Sequence, residues 1–250
     1  MDKLKYILSI AGFDSSNGAG IGADLKTYES HGLYGLSVCT AVTIQNESEF
    51  EACHWIPIEV ILDQIQCVYR KHPFKVVKIG IVENWLVLES IISCLKKLDI
   101  HIKIIVDPVL KASTSFEFHN SEDEISDKIL SQIDLLTPNY DEIKSLYLNL
   151  SLEQTISRIS SLTNLYLKGG HRADKKGHDV LIHNKIVEVN IPPILENVYP
   201  KHGSGCVLSS AISANITLGQ ALEDACKNAK YYTENYLNSS PSLLGKHNYN

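Results

Sequence analysis

The run His202-Gly203-Ser204-Gly205-Cys206-Val207-Leu208-Ser209-Ser210 places two glycines, a thiol and several hydroxyls where a turn opens into an apolar helix. Glycine lets successive backbone N–H groups point the same way, and a helix start is where an anion binds best. A thiol there also feels the positive end of the helix dipole, which favours thiolate. An anion cradle beside a base is equipment for chemistry on phosphate. Taken alone, the run reads equally well as a packed glycine-rich turn, so its meaning depends on what accompanies it.

The accompanying residues follow strand-like runs. The loop from Gly12 to Asp24 is rich in glycine, but it matches neither the GxGxxG dinucleotide fingerprint nor a Walker-type phosphate loop. Asp24 near the following helix start reads as an acceptor for a polar substrate or as a simple dipole partner. Gln45-Asn46 ends a β-branched run, and a carboxamide can pair with an amino-substituted ring nitrogen edge. Asp107-Pro108 and Thr137-Pro138-Asn139, with Glu142 just beyond, offer hard oxygens. Mg²⁺ takes one or two such carboxylates together with waters and substrate phosphates, which makes Asp107 and Glu142 the metal candidates. Lys168, between an apolar run and Gly169-Gly170-His171, can reach a bound phosphate.

The elements that must position these residues alternate. Strands are expected at Tyr6–Ile10, Ser37–Ile44, Lys75–Ile79, Ile102–Val106, Leu135–Thr137 and Asn164–Leu167, with a hairpin of Asp179–His183 and Ile186–Val189 about Asn184-Lys185. Gly12–Gly18 is expected as a loop. Helices are expected at Ala19–His31, Ile58–Lys71, Trp85–Leu98, Tyr140–Leu148, Leu152–Ser161, Gly205–Leu218 and Ala221–Leu237. Such alternation predicts an α/β fold, a three-layer αβα sandwich on a mainly parallel sheet. Ligands on such sheets sit at the carboxyl ends of the strands, where the candidates cluster.

Composition narrows the class. The 250 residues show no linker or internal repeat and are expected to form a single domain over 1–250. The net charge of −6 argues against a nucleic-acid partner. No apolar run is long enough for a membrane span, and the short stretch Tyr6–Gly12 does not read as a leader. The six cysteines form no CxxC pair; with no leader or span, they point to the cytoplasm.

In this order the pieces resemble the hydroxymethylpyrimidine/phosphomethylpyrimidine kinases of thiamine biosynthesis, members of the ribokinase-like superfamily. The matching stretches are Ile10–Asp14, Gly18–Thr27, Thr40–Asn46, Lys78-Ile79-Gly80, Val106–Val109, Leu136–Glu142, Lys168–His171 and residues 202–211. The resemblance implies a ribokinase-like sandwich, a homodimer, and ATP-dependent phosphorylation of a small aminopyrimidine alcohol and then of its monophosphate. It implies that Gln45 and Asp24 hold the pyrimidine in a pocket lined by Gly12, Val42 and Ile81. It places Gly203, Ser204 and Gly205 in the anion hole with Cys206 as base. It puts Asn139, Lys168, Gly203 and Gly205 at the ATP, and Asp107 and Glu142 at Mg²⁺.

The chain departs from the family pattern in places. Ile81 stands where the family has Met, Lys201 and Ser204 stand where it has Thr, and Leu110–Ser115 lacks an expected glycine. Lys201 is expected to add charge near the nucleotide. The end of the chain lacks a His-rich tail. Two other readings share these residues: a pyridoxal kinase of the same fold, and a pyrimidine-binding regulator without catalysis.

Overall fold

The computed structural model describes residues 4–110, 124–170 and 175–247. Most of the loop Leu110–Ser115 and residue His171 fall outside the described residues, as do 248–250 at the end of the chain. The strands are β1 (Tyr6–Asp14), β2 (Tyr34–Gln45), β3 (Phe50–Trp55), β4 (Val76–Ile79), β5 (Lys103–Val106), β6 (Leu135–Leu136), β7 (Asn164–Leu167), β8 (Asp179–His183) and β9 (Val187–Ile191). The helices are α1 (Gly20–Ser30), α2 (Ile58–Lys71), α3 (Trp85–Leu98), α4 (Asp127–Leu130), α5 (Tyr140–Ser145), α6 (Leu152–Leu162), α7 (Ser204–Thr217) and α8 (Leu222–Leu237).

The nine strands form one sheet in the order β3-β2-β1-β4-β5-β6-β7-β8-β9. Its centre, β2 to β7, is parallel, and β3, β8 and β9 attach antiparallel at the two edges. The central strands are short and wholly apolar or nearly so, as Val-Val-Lys-Ile and Lys-Ile-Ile-Val show, because helices cover both faces. One apolar layer packs α2, α3, α5 and α6 against one face of the sheet, through residues such as Ile61, Leu88, Ile92, Ile143 and Ile159. A second packs α1, α7 and α8 against the other through Tyr28, Leu208, Ile212 and Ala229. The αβα sandwich expected from the alternation is the observed architecture. Among the described residues no helix is long and apolar enough to cross a membrane.

Three differences from the expectation have simple causes. β1 does not stop at Ile10; after a register shift at Ala11/Gly12 it pairs with β2 through Asp14, so the first site residues lie on a strand and not in a loop. β3 was not expected, because it is a six-residue edge strand whose apolar side chains alternate with exposed Glu51 and His54. The one-turn helix α4 is too short to show a periodicity.

Candidate active site

Two helix starts meet above the carboxyl ends of β1, β4, β5 and β7. α1 begins after Ala19 and α7 after Gly203, and neither has a side-chain cap or an acid in its first turn. Their first N–H groups therefore remain for an acceptor from outside the helix. The two starts touch. A Cβ placed on Gly203, whose φ is +71°, would stand 2.0 Å from the Gly18 carbonyl oxygen. One on Gly20, with φ +55°, would stand 2.2 Å from the Gly12 carbonyl oxygen. Only glycine allows both the left-handed backbone and the contact. Cys206, in the first turn of α7, sits at the joint between the helices, where the Gly20 N–H favours its thiolate.

Asp14 binds this joint together. Its Oδ2 accepts from the Ala19 N–H and pairs with His202 Nε2, each at 2.9 Å, and its Oδ1 accepts from the Ser16 N–H at 2.9 Å. Burial works against its charge, but His202, Ser16 and Ala19 hold the carboxyl below its ordinary value. The first loop and the anion segment are thus fixed to one carboxylate. Behind them the chain end packs in, with the His202 N–H on the Leu243 carbonyl at 2.9 Å. Lys201, expected to bring charge to the nucleotide, instead gives its ammonium to the Ser240 carbonyl at 2.6 Å and ties down the same segment.

Lys168 reaches the start of α7. A Cβ on Gly205 would lie 3.3 Å from its Nζ. The ammonium donates to Asp107 Oδ1 at 2.6 Å and stands 3.7 Å from Glu142 Oε2. Burial opposes the lysine charge, yet Asp107 and Glu142 raise its pKa. Asp107 is fully buried; Thr137 Oγ1 donates to Oδ1 at 3.2 Å and Ser209 Oγ to Oδ2 at 3.0 Å. Burial and the charge of Asp107 push Glu142 up to about 7, against the pull of Lys168. Asn139 caps α5, its Oδ1 accepting from the N–H groups of Asp141 and Glu142 at 2.9 and 2.8 Å, while Glu142 Oε2 accepts the Asn139 N–H at 2.7 Å. This capping box aims Glu142 at Lys168.

Beside the joint lies an apolar face. Gly12 is so close to Ile81 that a Cβ there would meet Ile81 Cδ1 at 2.4 Å. Val42, expected to line the same pocket, is one residue out of phase with Gly12: it opposes Phe13 across β1 and β2 on the other strand face, where Phe13, Val42 and Ile44 are 40, 41 and 46% exposed. At the end of β2, Gln45 Nε2 donates to Thr43 Oγ1 at 2.8 Å, which sets the plane of its amide.

The structure therefore brings Gly203, Ser204, Gly205, Cys206, Lys168, Asp107 and Glu142 around one helix start, with Gly12 and Ile81 adjoining through Gly20. Two further expectations need correction. Asp24 does not face a substrate: it is fully buried, with both oxygens 2.9 Å from Lys78 Nζ, Oδ2 also accepting from Ser9 at 2.5 Å and Oδ1 from Ser210 at 2.6 Å. The helix start does not by itself produce a thiolate at Cys206. Burial pushes the thiol up, Asp24 and Asp107 add to the rise, and Lys78 and the Gly20 N–H only partly offset it.

Sequence reasoning missed Lys78, Ser209 and Ser210. A lysine inside Val76-Val77-Lys78-Ile79, a run otherwise apolar, was a readable signal, since a buried cation requires a carboxylate partner.

The comparisons with known proteins identify the family. The family model described as phosphomethylpyrimidine kinase matches residues 14–249. A hydroxymethylpyrimidine/phosphomethylpyrimidine kinase from Aquifex aeolicus is 32% identical over 94% of this chain and 95% of its own. The enzyme of the same name from Haemophilus influenzae is 30% identical over 92% and 90%. A crystal structure of phosphomethylpyrimidine kinase from Clostridium difficile superposes with TM-score 0.71 at 29% identity, covering 92% of this chain and 97% of that one. A pyridoxal kinase from Staphylococcus aureus, solved with ADP, superposes with TM-score 0.80 at 22% identity over 95% of this chain and 89% of that one, which speaks for the fold alone. A ribokinase-like sheet with two glycine-bounded helix starts meeting at its carboxyl edge, and a family match over nearly the whole chain, place this protein in the phosphomethylpyrimidine kinase family of phosphotransferases.

Proposed function

We propose that the protein transfers the terminal phosphoryl group of ATP to the hydroxymethyl oxygen of 4-amino-5-hydroxymethyl-2-methylpyrimidine, and then a second phosphoryl group to the monophosphate. The observation that carries this reading is Lys168 standing over the uncapped start of α7, next to the apolar contact of Gly12 with Ile81. Phosphoryl transfer needs positioning and neutralisation of charge more than covalent help. The N–H groups of residues 203–206 and the Lys168 ammonium supply both at the nucleotide's terminal oxygens. Gln45 Oε1 accepts from the exocyclic amine of the ring, the amide being held by Thr43. In the first transfer Cys206 takes the hydroxymethyl proton as the new O–P bond forms and ADP leaves.

Mg²⁺ belongs to the proposal in a particular form. Among the described residues no three acidic, His or Cys side chains gather into a cage. Asp107 spends its oxygens on Lys168, Thr137 and Ser209, while Glu142 presents a buried carboxyl beside them. This set fits an ion held by Glu142, waters and nucleotide oxygens, with Asp107 acting through Lys168, since Mg²⁺ keeps most of its waters. When bound, the ion would neutralise phosphate oxygens. Asn139 acts there by aiming Glu142. A homodimer that covers the exposed strip of Phe13, Val42 and Ile44, and a cytoplasmic setting that keeps the six free thiols reduced, complete the proposal.

The test is mass spectrometry of the pyrimidine incubated with Mg·ATP and the enzyme, with pyridoxal as a competing alcohol. The wild type should add one and then two phosphoryl groups to the pyrimidine in preference to pyridoxal. Cys206→Ala should slow the first addition by roughly 10²–10⁴, the range for a general base. It should slow the second much less, because a phosphate monoester is already largely ionised. No mass gain on the pyrimidine overturns the reading, and equal losses in both steps remove the base role of Cys206.

A further inference from the structure

Gly20 and Cys206 stand in the first turns of α1 and α7. Four residues further along each helix a rung joins the two, Ser210 Oγ on Asp24 Oδ1 at 2.6 Å. Lys78 closes this rung from β4, with its ammonium 2.9 Å from both Asp24 oxygens and both side chains fully buried. Its Nζ curls back beneath Gly80, where a Cβ would stand 3.2 Å away, and the same point is 3.2 Å from Ala11 Cβ, next to Gly12 of the apolar face. A buried ion pair costs desolvation that apolar packing would avoid, so its presence beneath a reacting group calls for a reason. A neighbouring Ser209 ties the same helix to the second buried pair, Lys168–Asp107, at 3.0 Å.

Building on the phosphotransferase reading above, we propose that Lys78 is a positioning residue for the transfer: held by Asp24 and Ser210 one helical turn below Cys206, it is the fixed positive charge toward which the Cys206 thiolate forms. The opposing pulls on the sulfur are consistent with this. Lys78 and the Gly20 N–H favour thiolate, while burial, Asp24 and Asp107 favour thiol. Lys168, Tyr28 and Tyr236 also interact with the charge of Cys206. Asp24 therefore has two opposed effects: it keeps Lys78 charged, and it subtracts from the field Lys78 exerts on the sulfur. The net charge of the pair is what the thiol reads.

The test titrates Cys206 in the full-length protein with no nucleotide or pyrimidine present. The rate of iodoacetamide alkylation is followed against pH and read on the Cys206 peptide by mass spectrometry, which separates it from the other five cysteines. Lys78→Met should raise the apparent thiol pKa by about one unit, and Asp24→Asn should lower it by about as much, a tenfold change in thiolate at a given pH below it. The double variant should return near the wild type, and Lys78→Arg should stay there. A purely structural pair predicts the same direction for both single variants, and that result, or no shift in either, overturns the proposal. Should Lys78→Met fail to fold, Asp24→Asn decides alone: a fall supports the role, and a rise or no change refutes it. Because no substrate is present, an enzyme that fails to phosphorylate the pyrimidine while showing the opposed shifts refutes the substrate assignment and leaves Lys78 standing.

Discussion

Lys168→Met should lower turnover by roughly two to three orders of magnitude, the usual cost of removing one donor from a site where charge develops. The ammonium is a positively charged side chain placed against Gly205 at the start of α7, and Gly205 has no side chain to stand between it and a bound phosphoryl group. Asp107 and Glu142 hold it there from two sides. Its removal has a second consequence. Asp107 would be left fully buried with only Thr137 and Ser209 as partners, and breaking a buried pair in this way costs about 3–5 kcal/mol. The variant should therefore melt earlier as well as turn over slowly. Adding Asp107→Asn should recover most of the stability and none of the turnover, which separates the two effects. Steady-state kinetics beside thermal melting checks both; turnover within tenfold of wild type in a folded Lys168→Met protein would take Lys168 away from the phosphates.

Gly203→Ala is the second large effect, and it contrasts with its neighbour. At Gly203 the backbone is left-handed, a cost of about 1–2 kcal/mol for any other residue. The new Cβ would also fall 2.0 Å from the Gly18 carbonyl oxygen and 2.7 Å from Ala19 Cα, which are backbone atoms. The joint between α1 and α7 must open. A displacement of about 1 Å at a reacting centre can cost on the order of a hundredfold in rate. Gly203→Ala should lose both stability and turnover. At Gly205 the added Cβ meets only the far end of the Lys168 side chain, at 3.3 Å, so Gly205→Ala should keep nearly all its stability and lose turnover by displacing Lys168. Equal stability losses in the two variants, measured by chemical denaturation, would mean that the joint is not the rigid element described above.

How far the sequence could be read depended on whether a signal was local. The amphipathic spacing of Ile58–Lys71 and the run Trp85–Leu98 gave α2 and α3 to the residue, because a stripe of apolar side chains at helical period is written within the helix itself. β1 beyond Ile10 was hidden by Gly12, which punctuates a loop in most chains but here lets Ile81 lie against the strand. In the site, the small residues ahead of α7 and the polar residues ending β5 and β7 were visible as a set because each follows a strand directly. Asp24 was misread for the opposite reason. An acid near a helix start looks the same whether it faces a ligand or a lysine, and its lysine lies 54 residues away on β4. The thiol at Cys206 followed the same pattern: the helix dipole is legible in the chain, whereas the burial and the two carboxylates that outweigh it belong to the fold.

The central claim is that the amide groups at the start of α7, with Lys168, receive the terminal phosphoryl group of a nucleotide within reach of a pyrimidine alcohol held by Gln45. A crystal structure with a non-hydrolysable ATP analogue, Mg²⁺ and the hydroxymethylpyrimidine measures this directly. The γ-phosphoryl oxygens should lie within hydrogen-bond distance of the 203–206 amides and Lys168 Nζ, with the hydroxymethyl oxygen in line beside Cys206 and the ring against Ile81. A nucleotide or pyrimidine seated in another crevice, or the two too far apart for transfer, would contradict it.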